Sequence, residues 1–512
     1  MRALSQNSIQ YLGMDDFPQR LAKQDPRLVE AVARIAKAVA ALPPDARYPR
    51  TPPRLFLVGG FVRDVLLGHN PKDLDAEVYG VPPERLEELL QRLYPGLVNT
   101  VGRSFGILKI HLGDDIGCDI SIPRQESKTG KGHKGFAISG DPGMSTTEAA
   151  RRRDFTVNAV LADPLNGDII DPFDGLRDAK RKILRVIDPK TFIEDPLRVY
   201  RAIQFAARFH FTVDADSQQL MREMVQNGSL RELSPERITD ELRKLLVKAQ
   251  KPSVGFELAL ELGVIEVYFP ELFALIATPQ EPEWHPEGNV WIHTMMVVDQ
   301  AARLSRQVVR HFSEEDRLQI VFAALCHDLG KPATTQVIDG RIRSRGHEEA
   351  AETPIRLLCS RLTFAERMDE AVIAIAKDHL KPAIFHRDLL AGTLSVEQYS
   401  NAIRKLLKRV APTDWKLFLT VTEADWRGRK LPNVTTAPYV AGAVFSQTIR
   451  VNKLDEEPTK PLLQGRDLAE LGIPAGPRMG KLIAQIEELR DKGELTTREE
   501  ALEQVAKLID AE

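Results

Sequence analysis

The apolar positions of this chain keep two different rhythms. Leu28, Val32, Ile35 and Val39 recur at helical spacing before PPDARYPRTPPR breaks the pattern. From Arg54 the apolar runs shorten. LFLVGG predicts a strand and a turn, and FVRDVLLG predicts a short helix stopped by Gly68. DLDAEVY alternates as a strand does, ERLEELLQRL is helical, and GILKIHL and GCDISIP predict two more strands. From about residue 186 the pattern is almost wholly helical. Proline and glycine clusters interrupt it at 277–289 (ATPQEPEWHPEGN) and 428–440 (GRKLPNVTTAPYV). The expected class is α+β: an extension over 1–50, a small mixed-sheet head over 51–187, a helical neck over 188–277, a second helical domain over 278–440 and a helical tail over 441–512.

Composition narrows the picture only a little. The 512 residues are 43% hydrophobic and 28% charged, an ordinary globular balance that excludes a disordered or collagen-like chain. With 70 basic and 73 acidic residues the net charge is −3, so any contact with nucleic acid must come from local patches. Cys118, Cys326 and Cys359 are too few and too scattered for a disulfide framework or a zinc ribbon. The start has no basic segment followed by an apolar one, and no run approaches the roughly 18 apolar residues of a membrane span. A cytoplasmic protein without membrane contact is expected.

The window LVGGFVRDVLLGHNPKDLDAEV carries the densest chemistry. Asp73 and Asp75 lie two apart in a strand, so both carboxylates point to one face. Like charges held that close repel, and magnesium, which takes hard oxygen ligands, would relieve them. Gly59 and Gly60 let the backbone approach a ligand, and the helix after them offers free N–H groups to phosphate. Arg63, one turn into that helix, is placed to reach the same phosphate. Alone, an Asp-x-Asp is more often a solvated turn. With the double glycine and the arginine it predicts a metal–nucleoside triphosphate site, and in-line attack by a hydroxyl on the α-phosphorus.

GGFVRDVLLG…KDLDAEV resembles the signature of the class II nucleotidyltransferase superfamily, which holds bacterial tRNA nucleotidyltransferases and poly(A) polymerases. EAARRRDFTVNAV (148–160), DIIDPFDGLRDAKRKILRVI (168–187) and EDPLRVYRAIQFAARF (194–209) follow in the family's order. The resemblance implies a head that binds CTP and ATP with Mg2+ and acts on the 3′ end of tRNA. It implies that Arg153 contacts the nucleotide's phosphates and Asp154 its ribose. It also gives the last block a reading. Asp195, Arg198 and Arg201 are three apart, on one face of a helix. Cytosine and adenine both set an amino group beside an unprotonated ring nitrogen. Asp195 can accept from the first and Arg198 donate to the second, while Arg201 reaches the triphosphate. Uracil and guanine would turn a carbonyl to the carboxylate. Asp119 in GCDISIP is a candidate third catalytic carboxylate. The Gly- and Lys-rich PRQESKTGKGHKGF (123–136) reads as a loop near the site.

A second constellation follows the first boundary. His293, the His327-Asp328 dipeptide and Asp425 fall in separate apolar helical patterns and together supply imidazole and carboxylate to one divalent metal, a transition metal being compatible. Burying two ionisable groups side by side requires a partner. The order resembles the HD phosphohydrolase superfamily, in which His347 and His379 stand where further ligands occur, and it implies hydrolysis of phosphate esters on RNA ends. In the tail, QGRDLAELGIPAGPRMG (464–480) predicts two helices around a glycine-rich turn, suited either to RNA-backbone contact or to helix packing. The favoured reading is a template-independent nucleotidyltransferase adding C, A or both to tRNA. A poly(A) polymerase, a partial CC- or A-adding enzyme, and a phosphohydrolase with a nucleotide-binding head stay open at this point.

Overall fold

Alternation along the head's strands sorts one face for the core and one for chemistry. The computed structural model describes residues 17–510 apart from 100–106, 129–135, 433, 435, 456–461, 475, 492–493 and 496. Its head strands are β1 (Arg54–Leu57), β2 (Asp73–Tyr79), β3 (Val98–Asn99), β4 (Ile107–Gly113), β5 (Ile116–Ser121), β6 (Arg124–Lys128), β7 (Phe136–Gly140), β8 (Leu161–Ala162) and β9 (Ile169–Ile170). Seven form one sheet in the order β3-β4-β5-β2-β1-β8-β9, and β6 and β7 make a separate hairpin. The sheet is mixed, because β2 runs antiparallel to β1 but parallel to β5. The expected loop at 123–136 is this hairpin in part; its tip, 129–135, lies outside the described residues.

On β2, Leu74, Ala76 and Val78 share one core with Cys118 and Ile120 of β5 and with residues from four helices. One of these is Pro26–Ala40, which buries Leu28, Val32, Ile35 and Val39 on the head. Asp25 caps it by accepting from Arg27 N, and Pro26 opens its first turn, where a missing N–H costs nothing. Burial of each aliphatic side chain contributes about 1.5–3 kcal/mol, so the predicted helix of the leading segment is part of the head's own core.

The glycine pair departs from its expected place: Gly59 is the first helical residue, and the helix Gly59–Leu66 leaves β1 through Val58 alone. Beyond the head, neck and second helical domain share one apolar core. It runs from Val199, Tyr200 and Phe205 through Leu245 and Val297 to Phe322 and Phe418. The tail has a small core of its own, with Leu468, Ile486, Ala501 and Val505. Within it the helices Gly465–Glu470 and Pro477–Asp491 flank Gly472 at φ +82. The helical half holds an exception to its pattern, a hairpin of Thr335–Ile338 and Arg341–Ser344. Asp339 and Gly340 turn it with φ of 51 and 71, the paired positive values of a tight hairpin turn. Among the described residues no helix is long and apolar enough to cross a membrane.

Candidate active sites

The head and neck enclose a cavity of about 720 Å3. Asp73 and Asp75 both line it, as does Glu77, the next residue on the same face of β2. Burial pushes the Asp75 carboxyl up to about 6; Arg153 opposes this, and the Asp119 and Asp73 charges add to it. Hard oxygens under mutual repulsion are the donor set that a magnesium ion fits. Asp119 sits beside Asp75 in the parallel β2–β5 register. Its carboxylate accepts from Lys109 Nζ at 2.7 Å, and it is not among the residues lining the cavity.

Gly59 is favoured by its backbone, and a side chain there would also displace the end of Arg153. The Gly59 φ is +65, and a Cβ there would lie 2.8 Å from a terminal nitrogen of Arg153. Arg153 donates to Glu77 at 2.7 Å. Arg63, expected to be free for phosphate, is instead braced in the cavity wall. It donates to Asn158 Oδ1 at 2.7 Å and pairs with Asp64. Its guanidinium lies 4.8 and 4.6 Å from the ring centres of Phe205 and Phe209, a cation–π bed supplied by the neck helix Leu197–Phe209. Asp154, expected at the ribose, is buried. Its Oδ1 accepts from Phe155 N and Asn158 Nδ2, and its Oδ2 from Arg201 Nε at 2.7 Å. Burial works to raise its pKa, but the Arg201 charge and the Asn158 amide prevail and hold it at about 2.

The base-reading block departs from the expected single helical face. Pro196 disfavours helical backbone at the residue before it, so the helix begins at Leu197 and Asp195 stands in the turn ahead of it. There its Oδ1 accepts from Leu197 N at 3.2 Å. Arg198 donates to the carbonyls of Thr191 and Arg152 at 2.8 and 2.7 Å. All three side chains still line the cavity. Arg237, from the neck helix Pro235–Lys248, spans both Asp195 oxygens at 3.0 and 2.9 Å. No spacing in the sequence pointed to it. Glu77 was legible, since the Asp-x-Asp alternation simply continues one step. Among the described residues, nine arginines and lysines line the cavity against five carboxylates, a surplus of four positive charges that suits a triphosphate.

The second site gathers His293, His327, Asp328, His347, His379 and Asp425. His327 and Asp328 lie just past the helix Glu314–Cys326, and a Cβ on the neighbouring Gly330 would collide with the His347 carbonyl. Nδ1 of His327, His347 and His379 sits 2.8, 2.8 and 2.7 Å from the carbonyls of Ala324, Ser344 and Ala376. A carbonyl only accepts, so each Nδ1 carries the proton and each Nε2 presents a lone pair. His293 Nδ1 meets the Glu287 carboxylate at 2.9 Å in the same way. The Nε2 atoms converge on the aspartates: His293 to Asp425 at 3.1 Å, His327 to Asp328 at 3.2 Å, His347 to Asp328 at 3.5 Å. Buried His327 Nε2, His347 Nε2 and Asp328 Oδ1 find no hydrogen-bond partner among the described residues. Lone pairs facing lone pairs in a buried cluster fit a cation held between them, with the Nδ1 contacts fixing the ring orientations. Burial drives the His379 pKa down to about 3, so this ring is neutral. The cluster opens onto a cavity of about 270 Å3, whose walls also carry Lys331, Arg429 and Trp284. Glu287 went unread because it falls in the ATPQEPEWHPEGN break.

A mixed-sheet head with paired carboxylates, joined to a helical neck over a basic cavity, defines a nucleotidyltransferase; the His/Asp cluster adds a metal-binding helical domain. Comparison with known proteins agrees. Residues 55–185 match the poly A polymerase head domain, 210–276 the probable RNA and SrmB-binding site of polymerase A, and 290–405 the HD domain. A multifunctional CCA protein of Methylobacillus flagellatus is 37% identical over 377 residues, 73% of this chain and 84% of that one. One from Stenotrophomonas maltophilia strain K279a is 38% identical over 431 residues, 82% of this chain and 98% of its own. The fold is similar to a Thermotoga maritima CCA-adding enzyme solved in complex with tRNA, with a TM-score of 0.57 at 20% identity, covering 96% of this chain and 98% of that one. The chain belongs to the multifunctional CCA protein family, nucleotidyltransferases that carry an HD domain.

Proposed function

We propose that this protein adds C and A to the 3′ end of tRNA, taking each nucleotide from CTP or ATP without a nucleic-acid template. The observation that carries the reading is the pair Asp73 and Asp75 facing a cavity with a surplus of four positive charges. Asp73 and Asp75 would hold Mg2+, which when bound lowers the pKa of the attacking hydroxyl and offsets charge on the triphosphate. The chain's own groups do the rest. The N–H groups at the Gly59 helix start and Arg153 bind phosphate oxygens. Asp119, next to Asp75, adds to the negative field that draws the cation. Asp154 holds Arg201 toward the triphosphate. Asp195 accepts from the base's amino group, and Arg198, steadied by two carbonyls, donates to the ring nitrogen. The helical neck and tail hold the tRNA through its phosphates.

In the second site, His293, His327, Asp328 and Asp425, with His347 and His379, would hold a transition metal that supplies an activated water for phosphate-ester hydrolysis at RNA ends. The activity belongs in the cytoplasm, where the three cysteines stay free thiols.

The test offers tRNA lacking CCA, ending in C and ending in CC, with labelled CTP or ATP. Addition stops after the terminal A, and Asp73→Ala abolishes it. Asp195→Ala relaxes base choice; an unchanged preference for CTP and ATP over UTP and GTP in that variant would remove the base-reading assignment. A long homopolymeric A product would mark a poly(A) polymerase instead.

A further inference from the structure

The second cavity carries more than metal ligands. Arg429 lines it, and a terminal nitrogen of its guanidinium pairs with Asp425 at 3.5 Å. Its Nε is buried and finds no hydrogen-bond partner among the described residues. The guanidinium's terminal nitrogen is no closer than 3.5 Å to that carboxylate and the side chain is partly exposed, so an anionic oxygen entering this cavity finds a permanent cation at its wall. Lys331, in the same wall, is already engaged by Asp328 and by Gln280 Oε1, each within 2.8 Å. Of the two cations in the lining, Arg429 is therefore the less engaged.

Trp284 lines the same cavity and is 53% exposed. A single exposed apolar residue on a surface needs no explanation. This one shares a wall with Asp328, His347 and His379, and its backbone is tied down. Trp284 N donates to Glu281 O at 3.1 Å. The Glu281 carboxylate accepts from Ile342 N at 2.9 Å, and Glu283 pairs with Arg341 at 3.1 Å, so the segment is fastened to the Asp339–Gly340 hairpin. An indole on a fixed backbone loses little freedom on stacking and accepts the flat face of any base.

We infer that Trp284 is a base-stacking platform and Arg429 a phosphate anchor, so that the HD site selects a terminal nucleotide phosphate of any base over a phosphate ester that has no base. The inference rests on the hydrolytic reading given above for this site. Its test measures hydrolysis of adenosine 3′-monophosphate, uridine 3′-monophosphate and glycerol 2-phosphate by the metal-loaded full chain, with no nucleoside triphosphate present to compete for either site. Trp284→Ala should raise KM for both nucleotides by about ten-fold or more. It should leave kcat and the glycerol phosphate KM within about two-fold, and Trp284→Phe should recover most of the loss. Arg429→Met should raise KM for all three. Equal effects of Trp284→Ala on nucleotide and glycerol phosphate, or none on either, overturn the platform. An unchanged KM in Arg429→Met overturns the anchor. If the unaltered protein hydrolyses none of the three, the hydrolytic reading fails, and binding decides the inference separately. Adenosine 3′-monophosphate should then quench the fluorescence of the unaltered protein more than that of Trp284→Phe, and equal quenching would refute the stacking role.

Discussion

Single positions in the head are constrained by geometry that a substitution cannot share. At Gly59 any Cβ meets Arg153 at 2.8 Å in a backbone conformation, φ +65, that costs an L-residue about 1–2 kcal/mol. Gly59→Ala should therefore cost stability by about that amount in thermal unfolding and lower kcat/KM for CTP by at least about ten-fold as Arg153 is pushed aside. Asp154 makes a pH-dependent contribution whose sign is fixed. Its carboxyl is held at about 2, below the usual 3.8, so its contribution is fully present above pH 3.8 and is lost as pH falls toward 2. The size is roughly 2 kcal/mol, and Asp154→Asn should flatten the acid limb of a stability profile between those pH values while lowering stability at pH 7. Residue by residue, legibility followed locality. Asp73 and Asp75 show their shared face in the spacing itself, and Glu77 needed only one more step of the same period. Arg237 could not be read, because its contact to Asp195 spans 42 residues and depends on how the neck helix docks. Loss of Arg237 leaves the Asp195 carboxylate with the longer contact from Leu197 N, at 3.2 Å, and so less firmly aimed. Arg237→Ala should bring misincorporation from UTP and GTP toward the level of Asp195→Ala, and the double variant should be no worse than either alone.

At the scale of elements, period decided most of what could be seen. β2, β4, β5 and the helix Pro83–Leu93 fall where alternating or helical patterns put them, and β1, buried on both faces, where a short apolar run puts it. Several things escaped, the β6–β7 hairpin expected as a loop among them. β3, β8 and β9 are two residues each, too short to show a period. The helix start at Leu197 was set by a proline's effect on its neighbour rather than by amphipathicity. The hairpin at 335–344 had its signal in Asp339-Gly340 but sat within a helical stretch. That hairpin matters to the chemistry, because Ser344 O orients His347 and Ile342 fastens the Trp284 segment. Packing is testable at the helix Pro26–Ala40. Ile35 is fully buried, and Ile35→Ala should destabilise the head by about 2–5 kcal/mol. Calorimetry should show that loss in a transition tied to the head.

At the scale of the whole molecule, the two sites differ in donor chemistry and in the core that supports them. The head cavity offers carboxylate oxygens on a sheet with its own apolar core; the HD cluster offers four imidazoles and two carboxylates on helices whose core is shared with the neck. Oxygen-only sets suit magnesium, and imidazole-rich sets favour transition metals. Stripping the protein with a chelator should stop both activities and lower thermal stability, chiefly of the neck and HD unit. There the orphaned Nε2 and carboxylate atoms lose their counter-charge, and a metal present at 100 times its dissociation constant accounts for about 2.7 kcal/mol. Returning Mg2+ alone should restore nucleotide addition without restoring phosphate-ester hydrolysis; Ni2+, Co2+ or Mn2+ should restore the second. His327→Ala should separate the two without chelation, leaving tRNA extension within a few-fold and ending hydrolysis. Recovery of both activities by Mg2+ alone would mean that the imidazole cluster does not choose its metal by donor type.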